Sequence, residues 1–209
     1  MPNLPEELVL DILKRIGRHD YRDLGPFIAA SKETMNLVFS REVLSSVDLS
    51  NFLCQSSMVN KDSRFRKFFI SCVEHGNVMA NQLEGLRILC QEGPTEAAFS
   101  MLHLSPAHSI YAPFVVGIFK ICAGQFETGM RTLLQMWDNV DAWEEAVHIA
   151  DMVIMQIVDM GPARSGLYFS SYSYPVDDIP HCTYISCAAD NVCEECFAFW
   201  YSLIIRSIC

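Results

Sequence analysis

The stretch Leu4–Leu37 reads LPEELVLDILKRIGRHDYRDLGPFIAASKETMNL, and its pattern sets the fold class. Leu4-Pro5-Glu6-Glu7-Leu8 opens a helix, because proline is tolerated in a first turn whose N–H groups have no intrahelical acceptor. Glu6 and Glu7 then sit where the helix dipole favours carboxylates. Leu8, Ile12 and Ile16 recur at helical spacing, with Val9 and Leu13 widening the apolar face. Gly17 is a stop signal, Asp20 caps a second helix, and Ser31 caps a third that carries Met35, Leu37 and Val38. Three short helices bury too little surface to stand alone, so the unit needs a partner.

This stretch resembles the F-box. Leu4, Pro5, Glu7, Leu8, Ile12, Leu13, Asp20, Leu24 and Lys32 match that family's pattern, over about a fifth of the chain. Met35 stands where the family has an aromatic residue, and Ala30-Ser31 where Val-Cys is usual. The resemblance implies docking onto a SKP-family adaptor of a cullin ubiquitin ligase, with Leu4, Pro5, Glu7, Leu8, Ile12, Leu13 and Leu24 as the adaptor contact. The same pattern also suits an amphipathic three-helix cap belonging to the rest of the fold.

The chain has 209 residues, 51% of them hydrophobic, which is enough for a substantial core and argues against disorder. Met1 leads into a proline-acidic helix and not a basic-then-apolar leader, and no apolar run approaches the roughly 18 residues of a membrane span. Nine cysteines, an odd number, are scattered through helical patterns and fit reduced thiols of the cytoplasm or nucleus. The net charge is −10, and residues 101–209 hold 12 acids against 4 bases. Such a balance excludes a basic footprint for nucleic acid and suits either acidic solvated helix faces or a basic protein partner.

Ser40 to Leu53 reads as a short helix and turn, and Cys54 to Ser63, rich in Ser, Asn and Asp, as a linker. Beyond it, Ala80, Gly85 and Cys90 recur as Ala112, Gly117 and Cys122, each 32 residues later. A period of that length with small residues at fixed positions is what stacked helical hairpins require. The pattern predicts helices over 65–73, 79–91, 94–103, 111–123 and 125–137, a break at Ser105-Pro106, and a long helix capped by Asp141 and running to Met160. His148 on that helix reads as a core or boundary residue. The array is similar to tetratricopeptide and Sel-like repeats.

Gly161 to Asp178 breaks the helical pattern. Its Tyr168, Phe169, Tyr172 and Tyr174 suit either partner anchors or packing back over the array. The tail carries His181, Cys182, Cys187, Cys193 and Cys196. The Cys-x-x-Cys pair places two thiolates beside one cation, and Cys182 and Cys187 are the candidates to complete a zinc site. Buried cysteines without metal are the alternative.

The expected fold is therefore all-α: an F-box-like unit over 1–45, a linker over 46–64, an α/α-hairpin array over 65–160, a loop over 161–181 and an irregular Cys-rich tail over 182–209. No nucleophile elbow, metalloprotease motif, phosphate loop or dinucleotide fingerprint occurs. The expected role is recognition of a protein target without chemistry.

Overall fold

A computed structural model describes residues 4–103, 110–140, 142–182 and 193–209. Among the described residues it is helical, with no strand. The chain divides into two compact units, Met1–Glu84 and Gly85–Cys209.

The first unit contains α1 (Glu6–His19), a 3-10 turn (Tyr21–Leu24), α2 (Gly25–Ala30), α3 (Lys32–Val38), α4 (Arg41–Leu44), α5 (Ser50–Cys54), a second 3-10 turn (Ser56–Val59) and α6 (Arg66–Glu74). Helix α7 (Val78–Gln91) begins in this unit. Two sequence-derived caps are present: Asp20 accepts from the Arg22 amide at 2.9 Å and Ser31 from the Thr34 amide at 3.1 Å. Gly17 does not end α1, which continues to His19. Instead Gly17 is buried, and a Cβ there would lie 3.2 Å from Val47 Cγ2 and 3.3 Å from Leu24 Cδ1. It permits close packing.

The linker expected over 46–64 is part of this core. Leu49, Phe52 and Val59 are fully buried, and Tyr21, Phe52, Phe65, Phe68 and Phe69 form an aromatic cluster with Phe52 and Phe69 stacked 5.6 Å apart. The polar residues that suggested a linker start and end short helical turns. Asp48 accepts from the Ser50 amide at 3.0 Å, Ser63 from the Phe65 amide at 3.2 Å, and Ser56 donates to the Leu53 carbonyl at 3.2 Å. Side chains of this kind compete with longer helices for backbone partners, which hides periodicity in the sequence. Two buried polar anchors complete the unit. Asn77 donates to the Leu44 and Val47 carbonyls, each at 2.9 Å, and Arg66 holds Glu84 in a two-pronged pair at 2.6 and 2.7 Å while donating to the Val59 carbonyl at 2.6 Å.

The second unit holds the end of α7, then α8 (Glu96–His103), α9 (Tyr111–Cys122), α10 (Phe126–Trp137), α11 (Trp143–Met160) and a final helix, here α12 (Glu194–Ile208). Ten of the twelve residues of α9 are buried, as expected for a helix apolar on every side, and α8, α10, α11 and α12 all pack against it. The sequence period has a geometric counterpart. A Cβ at Gly85 would lie 2.9 Å from the Ala98 carbonyl oxygen of α8, and one at Gly117 would lie 2.6 Å from Leu133 Cγ of α10. The repeated glycines mark the closest approach in each hairpin.

Two expectations are corrected in this unit, and an open alternative is decided. The tail is not irregular throughout, because residues 194–208 form α12 with Phe197, Ala198, Ser202 and Ile205 buried. His148 is exposed, since the inward face of α11 is set by Ala146, Ala150, Val153, Ile157 and Met160. Of the two uses open to the aromatics of residues 161–181, packing back over the hairpins is the one present for three of the four. Tyr168 is fully buried and donates to the Leu89 carbonyl at 2.7 Å, while Tyr174 packs edge-on against Phe126 and Phe199 at 4.7 and 5.1 Å. Phe169 alone of the four is strongly exposed, at 61%. The expected break at Ser105-Pro106 and the cap at Asp141 lie outside the described residues.

The segment also serves helix ends. The last carbonyls of a helix have no intrahelical donor. Here the Leu89 and Cys90 carbonyls of α7 accept from Tyr168 Oη and the Ala163 amide, and the Cys122 carbonyl of α9 accepts from Ser171 Oγ at 2.9 Å. Gln91 Nε2 in turn donates to the Met160 carbonyl of α11 at 2.8 Å.

Candidate functional site

Two features stand out from ordinary packing. The first is the outer face of α1. Leu13 and Gly17 turn inward, while Leu8 and Ile12 are 51% and 43% exposed and Leu4, just before the helix, is 55% exposed. Pro5 and Glu7 lie on the same exposed segment. Five of the seven expected contact residues are thus exposed along α1 and the two residues before it. Leu13 and Leu24 are not, because both are fully buried in the core of the first unit. A helix displays both faces as one apolar stripe in sequence, so periodicity alone cannot tell which side of a wide stripe is inward.

A second apolar surface was not anticipated. Helix α2, Gly-Pro-Phe-Ile-Ala-Ala, has no buried residue. Its composition was the available signal: a proline followed by four apolar residues is unusual on a solvated helix. Met35, at the position of the expected aromatic, is only half-buried.

The second feature is a thiol cluster. Cys193 is the N-cap of α12, and its Sγ accepts from the Cys196 amide at 3.4 Å. Cys182 closes on both, with Sγ–Sγ distances of 3.5 Å to Cys193 and 2.9 Å to Cys196. All three sulfurs lie within 4.8 Å of one another. Cys196 is buried and the other two are half-buried. Cys187 lies outside the described residues. His181 does not join the thiols; it is exposed and lines a shallow cavity with Asp177, Asp178 and Glu195.

The other buried cysteines have a different character. Cys72, Cys90, Cys122 and Cys209 are buried in the core, and burial pushes the Cys72 and Cys209 thiols up to about 12. These are protonated packing residues. No described helix is long and apolar enough to cross a membrane.

Comparison with protein-family models, curated proteins and solved structures finds no match for this chain.

Proposed function

We propose that this protein is a substrate-recognition subunit of a SKP-cullin-F-box ubiquitin ligase, binding the SKP-family adaptor through α1 and α2. In this reading the first unit is F-box-like and the hairpins α7–α8 and α9–α10 belong to a tetratricopeptide- or Sel-like array that presents a protein target. It does no chemistry itself and acts in the cytoplasm or nucleus. The observation that carries the proposal is the exposed row of Leu8 and Ile12 on α1, with Leu4 just before it, opposite a face that buries Leu13 and Gly17. A contiguous apolar row at a helical surface is the usual form of a protein-docking face. Leu13 and Leu24 support that face from beneath.

The test is co-purification of the full-length chain with the adaptor. Leu8→Asp combined with Ile12→Asp should abolish it while leaving far-UV circular dichroism unchanged, since both side chains face solvent. Retained co-purification refutes the docking face.

A second reading, a helical interaction module with no ligase link, draws on the continuous core of the first unit. Asn77 and the buried residues from Leu13 to Leu83 join α1 to the start of α7. Here the first helices cap the fold, and the intact chain fails to bind the adaptor at all.

A further inference from the structure

We propose that Cys182, Cys193 and Cys196 are ligands of one zinc ion, which fastens the segment ending at Cys182 to the N-terminus of α12. This is independent of adaptor docking, which uses the first unit.

Three geometric facts converge. Zinc–thiolate bonds are about 2.3 Å, so two sulfurs on one tetrahedral zinc stand about 3.8 Å apart. The cluster spans 2.9 and 3.5 Å for two of its sulfur pairs and stays within 4.8 Å overall, so small rotamer adjustments reach that spacing. Second, Cys193 and Cys196 hold the two-residue spacing at a helix start, and the Cys196 amide already points at Cys193 Sγ. That amide gives the sulfur a backbone donor at the start of α12, which runs for 15 residues behind it. Third, Glu194 and Glu195 occupy the first turn of α12, adding negative charge beside a cation.

A disulfide is the competing use of close cysteines, but it consumes two sulfurs and leaves the third without a role. A cation uses all three. Binding replaces three S–H protons by three Zn–S bonds, so three protons leave and the site carries one net negative charge. No redox partner is required. The remaining tetrahedral position takes an oxygen, nitrogen or sulfur donor from outside this set of three.

The fourth part of the case is contrast within the chain. Cys72, Cys90, Cys122 and Cys209 are fully or almost fully buried, and among the described residues they form no group of three sulfurs within ligand reach of one another. Cys54 is exposed and distant in sequence, which makes it an internal control.

The experiment uses the full-length chain, reduced, stripped with chelator and reconstituted with zinc sulfate. Native mass spectrometry is expected to find about one zinc per chain. Cobalt(II) in place of zinc should give a sulfur-to-cobalt charge-transfer band and tetrahedral d–d absorption. N-ethylmaleimide labelling with peptide mapping should show Cys182, Cys193 and Cys196 protected by zinc, and Cys54 labelled equally with or without it. Cys182→Ser and Cys196→Ser should each abolish stoichiometric zinc, and Cys54→Ser should not. Because protection is read on the wild-type chain, the result stands even where a variant fails to fold. Absence of zinc after reconstitution, or zinc that protects none of these three cysteines, overturns the proposal.

Discussion

Gly129→Ala tests the central packing of the second unit. A Cβ at Gly129 would lie 2.6 Å from the Gly117 carbonyl oxygen, 2.6 Å from Ile121 Cγ1 and 3.0 Å from the Ile121 amide nitrogen. Two of those neighbours are backbone, which no rotamer change can move, so α9 and α10 must separate to admit the methyl. Opposing this, alanine is intrinsically better than glycine in a helix interior by about 1 kcal/mol. Overpacking of a tight core costs about 1–3 kcal/mol, and rigid backbone neighbours place this site at the upper end. The net loss is about 2 kcal/mol, or roughly 6–10 °C in Tm for a unit of this size. The assay is tryptophan fluorescence during thermal and urea unfolding of the full-length chain. Trp137, Trp143 and Trp200 are the only tryptophans and all fall in residues 85–209, so the signal reports this unit alone. Met155→Ala, at a side chain 70% exposed, is the control that should leave the transition in place. A Tm for Gly129→Ala equal to or above that of the parent would show that α9 and α10 do not cross at this glycine.

Tyr168→Phe should cost about 1–3 kcal/mol, because it removes the donor to the Leu89 carbonyl and leaves a buried acceptor unsatisfied; urea midpoints read by the same fluorescence check it. Stability should be flat from neutral pH to about 9 and fall above it. The Cys72 thiol rises from 9.0 to about 12 through burial, so the protonated form is favoured in the fold; its contribution is complete below the unfolded value and lost as pH climbs through the window from 9.0 to about 12. Each such thiol adds about 1.4 kcal/mol per pH unit of slope there. Denaturant midpoints across that range test the sign, and a midpoint that rises toward pH 11 would contradict it.

Much of the helical layout was legible because it depends on local pattern. The boundaries of α7, α9, α10 and α11 follow apolar periodicity with Gly and Pro punctuation. Ser31 and Asp20 act as caps because capping is a contact within a few residues. The repeated glycines were readable as well, since Gly85 and Gly117 stand at equivalent places in two hairpins. Residues 46–64 misled for the same local reason. Their Asp and Ser side chains make short-range bonds that break the period, while the burial of Leu49, Phe52 and Val59 depends on residues far along the chain.

By itself the sequence determined that the chain is helical, where its longer helices before residue 161 run, and which residue types could meet a protein partner or a metal. Those follow from propensity, periodicity and donor chemistry, all of which are properties of short windows. Only the tertiary structure decided which face of α1 is turned inward, consigning Leu13 to the core while exposing Leu8 and Ile12, and it alone buried Leu24. It alone brought Cys182 to Cys193 and Cys196, and it laid Tyr168 over the end of α7. Burial is a sum over residues distant in sequence, and no local pattern carries that sum.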